Sequence, residues 1–142
     1  MVKAGSSFQN SEKPIYRLRE YFLPLRGRFQ TRVFHCADVE AKDAGEGAFK
    51  LKVRWLITKD IGAPNFAMRL FEMKPGGYSP LHSHDWEHEV FILEGEGSVV
   101  GGSEQRRFKP GDAVFIPSNE KHQFRNTGKK LLKFLCLVPH HE

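Results

Sequence analysis

Residues 75 to 95 read PGGYSPLHSHDWEHEVFILEG and place histidines at 82, 84 and 88. The spacing of two and then four gives all three the same parity. Side chains alternate faces along an extended chain, so equal parity directs three imidazoles to one side of a sheet. A fourth histidine, His122, stands further on in GDAVFIPSNEKHQFRN. Imidazole is the commonest protein ligand for transition metals, and three or four converging rings make a metal site.

Working outward, two spaced patterns appear. In the first, Gly76 is followed by five residues, His82-Ser83-His84, three residues, His88, six residues and Gly95. In the second, Gly111 is followed by five residues, Pro117-Ser118-Asn119, two residues, His122, three residues and Asn126. Together these resemble the two signature motifs of the cupins, over roughly residues 30 to 139. The family pattern usually has glutamate where His88 stands and glycine where Asn119 stands. Glu89 competes for the ligand position, but it would leave five residues before Gly95 and face away from His82 and His84. Asparagine tolerates a left-handed backbone better than any residue but glycine, so the turn at 119 survives. Among cupins the chain is most similar to small single-domain metal-binding members with an H-x-H-x-x-x-H first motif, some called oxalate-decarboxylase-like by analogy.

The resemblance implies an all-β fold, a double-stranded β-helix or jelly-roll barrel. It implies one divalent transition metal (Mn, Fe, Co, Ni, Cu or Zn) held by His82, His84, His88 and His122. Four neutral ligands leave the charge of such an ion uncompensated, which favours an anionic ligand. The expected activity is that of a metalloenzyme, an oxygenase, decarboxylase or isomerase acting on a small carboxylate, dicarbonyl or related oxygenated compound. A noncatalytic metal-dependent binding or sensing module is the alternative. No catalytic residue is fixed, and Arg69 and Glu89 are the candidates. Arg69 clamps a carboxylate if it faces inward and is an ordinary surface cation if it faces outward. Trp86 reads as wall or rim packing, and Tyr78 as a turn residue.

At 142 residues the chain is long enough for one domain with a substantial core. A division follows into an extension at 1–30 and a cupin domain at 31–142. Six basic and two acidic residues stand in 1–30, leaving sixteen basic and fifteen acidic for the rest, so the net charge of +5 belongs mainly to the extension. With no nucleic-acid-binding motif beside it, this excludes a DNA or RNA partner. In the extension, Ser11 and Pro14 suit the start of a short helix ended by Pro24, and a loose arm fits equally. The longest apolar run, near Leu131 to Val138, is far shorter than the ~20 residues of a membrane span. Together with the absence of a secretory leader and two cysteines, Cys36 and Cys136, that read as reduced thiols, this points to the cytoplasm.

Alternation predicts strands at 28–35, 49–57, 66–73, 90–93, 98–100, 105–108, 113–116, around His122 and at 131–138. Pro75, Gly76 and Gly77 are expected to end the strand that precedes the histidines. One face of the last strand, Leu132, Phe134, Cys136 and Val138, is apolar, and the other, Leu131, Lys133, Leu135 and Leu137, is mostly so. The second face needs a cover, and a homodimer is expected.

Overall fold

The computed structural model describes residues 31–141. The predicted helix of the extension lies outside the described residues. Nine strands follow one another: β1 (Lys42–Asp43), β2 (Phe49–Ile57), β3 (Phe66–Tyr78), β4 (His88–Glu94), β5 (Gly97–Gly101), β6 (Glu104–Phe108), β7 (Ala113–Ile116), β8 (His122–Arg125) and β9 (Leu132–Pro139). Two three-residue 3₁₀ turns, at Cys36–Asp38 and Lys59–Ile61, complete the described elements. None is a helix long and apolar enough to cross a membrane.

The strands pair in the order β6-β5-β8-β3-β9-β4-β7, with β2 also on β3 and β1 on β2, and every pair is antiparallel. The sheet curls on itself as a jelly roll. Long β3 joins its halves, pairing with β9 along Phe66–Met73 and touching β8 at Tyr78↔Arg125.

Register decides which faces meet. Directly opposed residues share a face, so Ala67, Arg69, Phe71 and Met73 lie with Val138, Cys136, Phe134 and Leu132. Across the next pair Cys136 and Phe134 oppose Val90 and Ile92. Apart from Arg69 and with Phe71 packed at its edge, these side chains and Leu51, Val99, Phe108, Ile116 and Phe124 form one core, in which Met73, Ile92 and Leu132 are fully enclosed. The outward partners are Met68↔Leu137, Leu70↔Leu135 and Phe91↔Leu135.

Two expectations need correction. The predicted strand at 28–35 is absent over its described part, 31–35. There the His35 side chain accepts the Ala37 N–H and closes the first 3₁₀ turn, and Val39 O accepts from Arg54. Pro75, Gly76 and Gly77 do not end β3, which runs to Tyr78. Gly76 takes φ +79°, and Gly77 has Met73 Cγ and Phe49 O where a Cβ would go, so the strand bends without stopping. The reading of Asn119 holds, since it sits at φ +68°.

Candidate metal centre

The strand mouths bring the four histidines together. His82 and His122 form a two-residue bridge, each N–H donating to the other's carbonyl (His82 to His122 O 3.2 Å, His122 to His82 O 2.9 Å). His84 is fixed by its own carbonyl, which accepts the Asn119 N–H, so the left-handed turn at Asn119 reaches directly into the site. His88 opens β4 and His122 opens β8. Residues 85 and 86 bend rather than extend, so His88 joins the others through a bend and not by simple alternation along one strand.

The four ligand nitrogens lie within 4.8 Å of one another. Two nitrogens on one ion at ~2.1 Å can be at most ~4.2 Å apart, so shifts of a few tenths of an ångström close the set. The second ring nitrogens support the same orientation. His84 Nδ1 donates to Trp86 O and His122 Nδ1 to Glu120 O, both at 2.8 Å. Each bond fixes the proton on Nδ1 and leaves Nε2 as a lone pair, the form that binds a cation. His84 Nε2 and His88 Nε2 stand 2.7 Å apart. Burial, and then the positive Arg69, hold the His88 imidazole far below its ordinary value, at about 2. His82 and His84 are lowered too, by burial first. At neutral pH these three rings are therefore uncharged and ready as donors. The residues present fit a transition-metal ion.

Arg69 faces inward. Its Nη2 lies 3.1 Å from Cys136 Sγ and 3.4 Å from His88 Nδ1, and its guanidinium stands over Trp55 at 5.2 Å and Phe71 at 4.9 Å. Among the described residues, its buried Nε has no hydrogen-bond partner. Cys136 Sγ also lies 3.3 Å from His88 Nδ1. When His88 Nε2 serves as a ligand, Nδ1 carries the proton and cannot accept from Arg69. The thiol sulfur is then the shared acceptor that ties ring to guanidinium. Burial raises the Cys136 pKa, so this sulfur is a neutral thiol at neutral pH. Both cysteines are free.

Glu89 lies outside this arrangement. It is exposed on the outer face, opposite Phe115 and Leu137, because it follows the inward His88 in a strand. Trp86 is packed between two imidazoles, stacked on His84 at 4.1 Å and on His141 at 3.6 Å. Tyr78 ends β3 against Phe49. The roles of Cys136, Trp55 and His141 were not evident from sequence. The alternation in β2, β3 and β9 hinted at the first two, but the β3–β9 and β2–β3 registers that bring them to Arg69 are long-range facts.

The histidines and Arg69 open into a cavity of about 240 Å³. A sequence profile of the cupin domain matches residues 69–138. The chain is 36% identical over 97 residues to 1-methylthio-D-xylulose 5-phosphate methylsulfurylase of Rhodospirillum rubrum, covering 68% of this chain and 62% of that protein. It thus spans less than two thirds of that relative's length. It is 33% identical over 96 residues to an oxalate-binding protein of Thermotoga maritima, covering 65% of this chain and 78% of the other. In three dimensions it is similar to the polyketide cyclase RemF of Streptomyces resistomycificus, with a TM-score of 0.72 and 34% identity, over 78% of this chain and 80% of that one. Relatives named as enzymes and as a binding protein therefore share the fold.

Proposed function

The chain belongs to the cupin family, and on that premise we propose that it is a metal-dependent protein acting on a small anionic carboxylate, dicarbonyl or related oxygenated compound. His82, His84, His88 and His122 would hold one divalent transition ion, of the group Mn, Fe, Co, Ni, Cu and Zn that nitrogen donors suit. Such an ion, when bound, supplies Lewis acidity toward a carbonyl or carboxylate oxygen. The protein's own part is binding and orientation. The observation that carries the anion reading is Arg69, a guanidinium beside the histidines with a buried Nε–H that no described residue accepts. Trp55 and Phe71 flank the guanidinium, and the planar fork it presents to the cavity would meet a carboxylate.

Arg69→Lys and Arg69→Gln are expected to weaken anion binding tenfold or more while metal content stays constant. Truncating one partner of a buried charge pair costs ~2–5 kcal/mol. Calorimetry with oxalate, malonate and a neutral diol of similar size checks this on metal-loaded protein. Equal affinity for the diol, or no change in the variants, would remove the anion from the account.

The binding-module alternative has an observation of its own, since no carboxylate lines the cavity among the described residues. Acid–base work would then fall to the imidazoles or to bound water. Turnover of a candidate acid or diketone, lost on metal removal and restored on reloading, separates an oxygenase, decarboxylase or isomerase from a binding protein.

Assembly follows from the outer face of β7, β4 and β9. Phe115, Phe91 and Leu93 are 61%, 45% and 40% exposed there, beside half-buried Leu135 and Leu137. A second copy covering this patch would remove apolar area at roughly 25 cal/mol per Å². The expected mass in solution is that of a homodimer, and a monomer by light scattering at micromolar concentration would refute it.

A further inference from the structure

Around the histidines the cavity is built unevenly. Its polar end consists of the imidazoles, Arg69 and the Cys136 thiol. The rest of the lining is mostly apolar, Leu51, Trp55, Phe71, Phe124, Phe134 and Val138, with Trp55 and Phe71 reaching the guanidinium. Phe71, Phe134 and Phe124 form a stacked row, with ring centroids 5.2 and 5.1 Å apart, that carries the apolar wall from one half of the barrel to the other. Both faces of Trp86 are already covered by His84 and His141, so the indole offers a ligand only its edge.

Arg69 is the only lysine or arginine among the described lining residues. The one aliphatic hydroxyl, Ser79 Oγ, accepts the Phe124 N–H at 2.8 Å and is neutral, so it supplies no charge. A second carboxylate on the ligand would be pressed against aromatic rings with no cation to meet it, and burying an unpaired charge is costly. An apolar group in the same place gains by leaving water. The volume of about 240 Å³ lies just below the ~300–1,000 Å³ usual for ligand pockets, so the body is small.

We infer that the ligand is a small monoacid with an apolar tail, its single carboxylate or oxoacid head at the histidines and Arg69 and its hydrocarbon or aryl body along the Phe71–Phe134–Phe124 row. This rests on the anion reading above and narrows it, because a short diacid such as oxalate would leave the wall unused.

The test uses a series with a constant head. Pyruvate, 2-oxobutanoate, 2-oxohexanoate and phenylpyruvate are titrated by calorimetry into the Ni(II)-loaded full chain and its Arg69→Gln variant, with oxalate and 2-oxoglutarate as diacids. Affinity is expected to rise about fourfold per methylene, the equivalent of ~0.8 kcal/mol for each buried CH₂. 2-Oxoglutarate, whose terminal carboxylate oxygens stand where 2-oxohexanoate has its terminal methyl, is expected to bind at least tenfold more weakly. A flat series, or 2-oxoglutarate binding as tightly as 2-oxohexanoate, overturns the inference. If pyruvate and oxalate bind in an Arg69-dependent way alongside such a result, the anion reading stands and only the tail falls. If no acid binds, or Arg69→Gln changes nothing, both fall.

Discussion

Alanine at His88 or at His122 is expected to leave a folded protein that no longer retains a divalent ion, with affinity lowered by at least ~100-fold. Loss of an outer-shell partner alone typically costs 10–100-fold, and each of these rings is a direct member of the four-nitrogen set. Elemental analysis of the purified variants and competition with a chelator read the loss, while circular dichroism separates it from unfolding. Full metal retention by either variant would remove that residue from the site. His88→Glu restores the carboxylate usual at this place in the cupin pattern and gives a different result. It is expected to keep metal and lose anion binding, because Arg69 Nη2 stands 3.4 Å from the His88 ring and would pair with the new carboxylate. The negative ligand would also offset the charge of the ion. On that expectation, histidine at 88 would leave Arg69 and a bound ion both available to a ligand.

The histidines were legible because the spacing within each of the two motifs is local and repeats a known pattern. Asn119 was legible for a comparable reason, since its left-handed conformation is a property of one residue in one turn. The orientation of Arg69 was not, because β3 carries plausible side chains on both faces. Only its pairing with β2 and β9, Trp55↔Arg69 and Arg69↔Cys136, settles which face is inner. Glu89 illustrates the converse, as the alternation that turned His88 inward necessarily turned its neighbour outward. Prolines and glycines were read too strictly at 75–77. Pro75 and Gly77 fall within a strand that bends, and propensity gives way to the tertiary pairing of Tyr78 with Phe49 and Arg125.

The second motif ends in a residue whose work is structural. Buried Asn126 donates through Nδ2 to Met73 O at 2.8 Å and Lys130 O at 2.9 Å, and its Oδ1 accepts the Gly128 N–H at 3.0 Å. One side chain thereby ties β3 to the approach of β9 behind the site, so a motif anchor need not be a functional group. Gly95, which closes the first motif, belongs to the same class.

Gly95→Ala is expected to be strongly destabilising, costing roughly 2–5 kcal/mol. Gly95 has φ +78°, a left-handed position that costs an L-residue ~1–2 kcal/mol. A Cβ there would also lie 2.5 Å from Leu131 O and 2.8 Å from Leu132 Cα. Both obstacles are backbone, and Leu132 is fully enclosed at the start of β9, so relief requires moving a central strand, with a cost on the ~1–3 kcal/mol scale of overpacking. Against a total stability of ~5–15 kcal/mol this removes a large fraction. At ~2–4 °C per kcal/mol for a chain of this size, the melting temperature should fall by roughly 4–20 °C. Gly111→Ala separates the two causes. Gly111 has φ +92° with nothing within 4 Å of an added Cβ, so only the conformational cost applies there. A fall of roughly 2–8 °C is expected for that variant. Equal losses in the two variants, read by thermal unfolding of metal-loaded protein, would show that the close approach of β9 to Gly95 carries no cost.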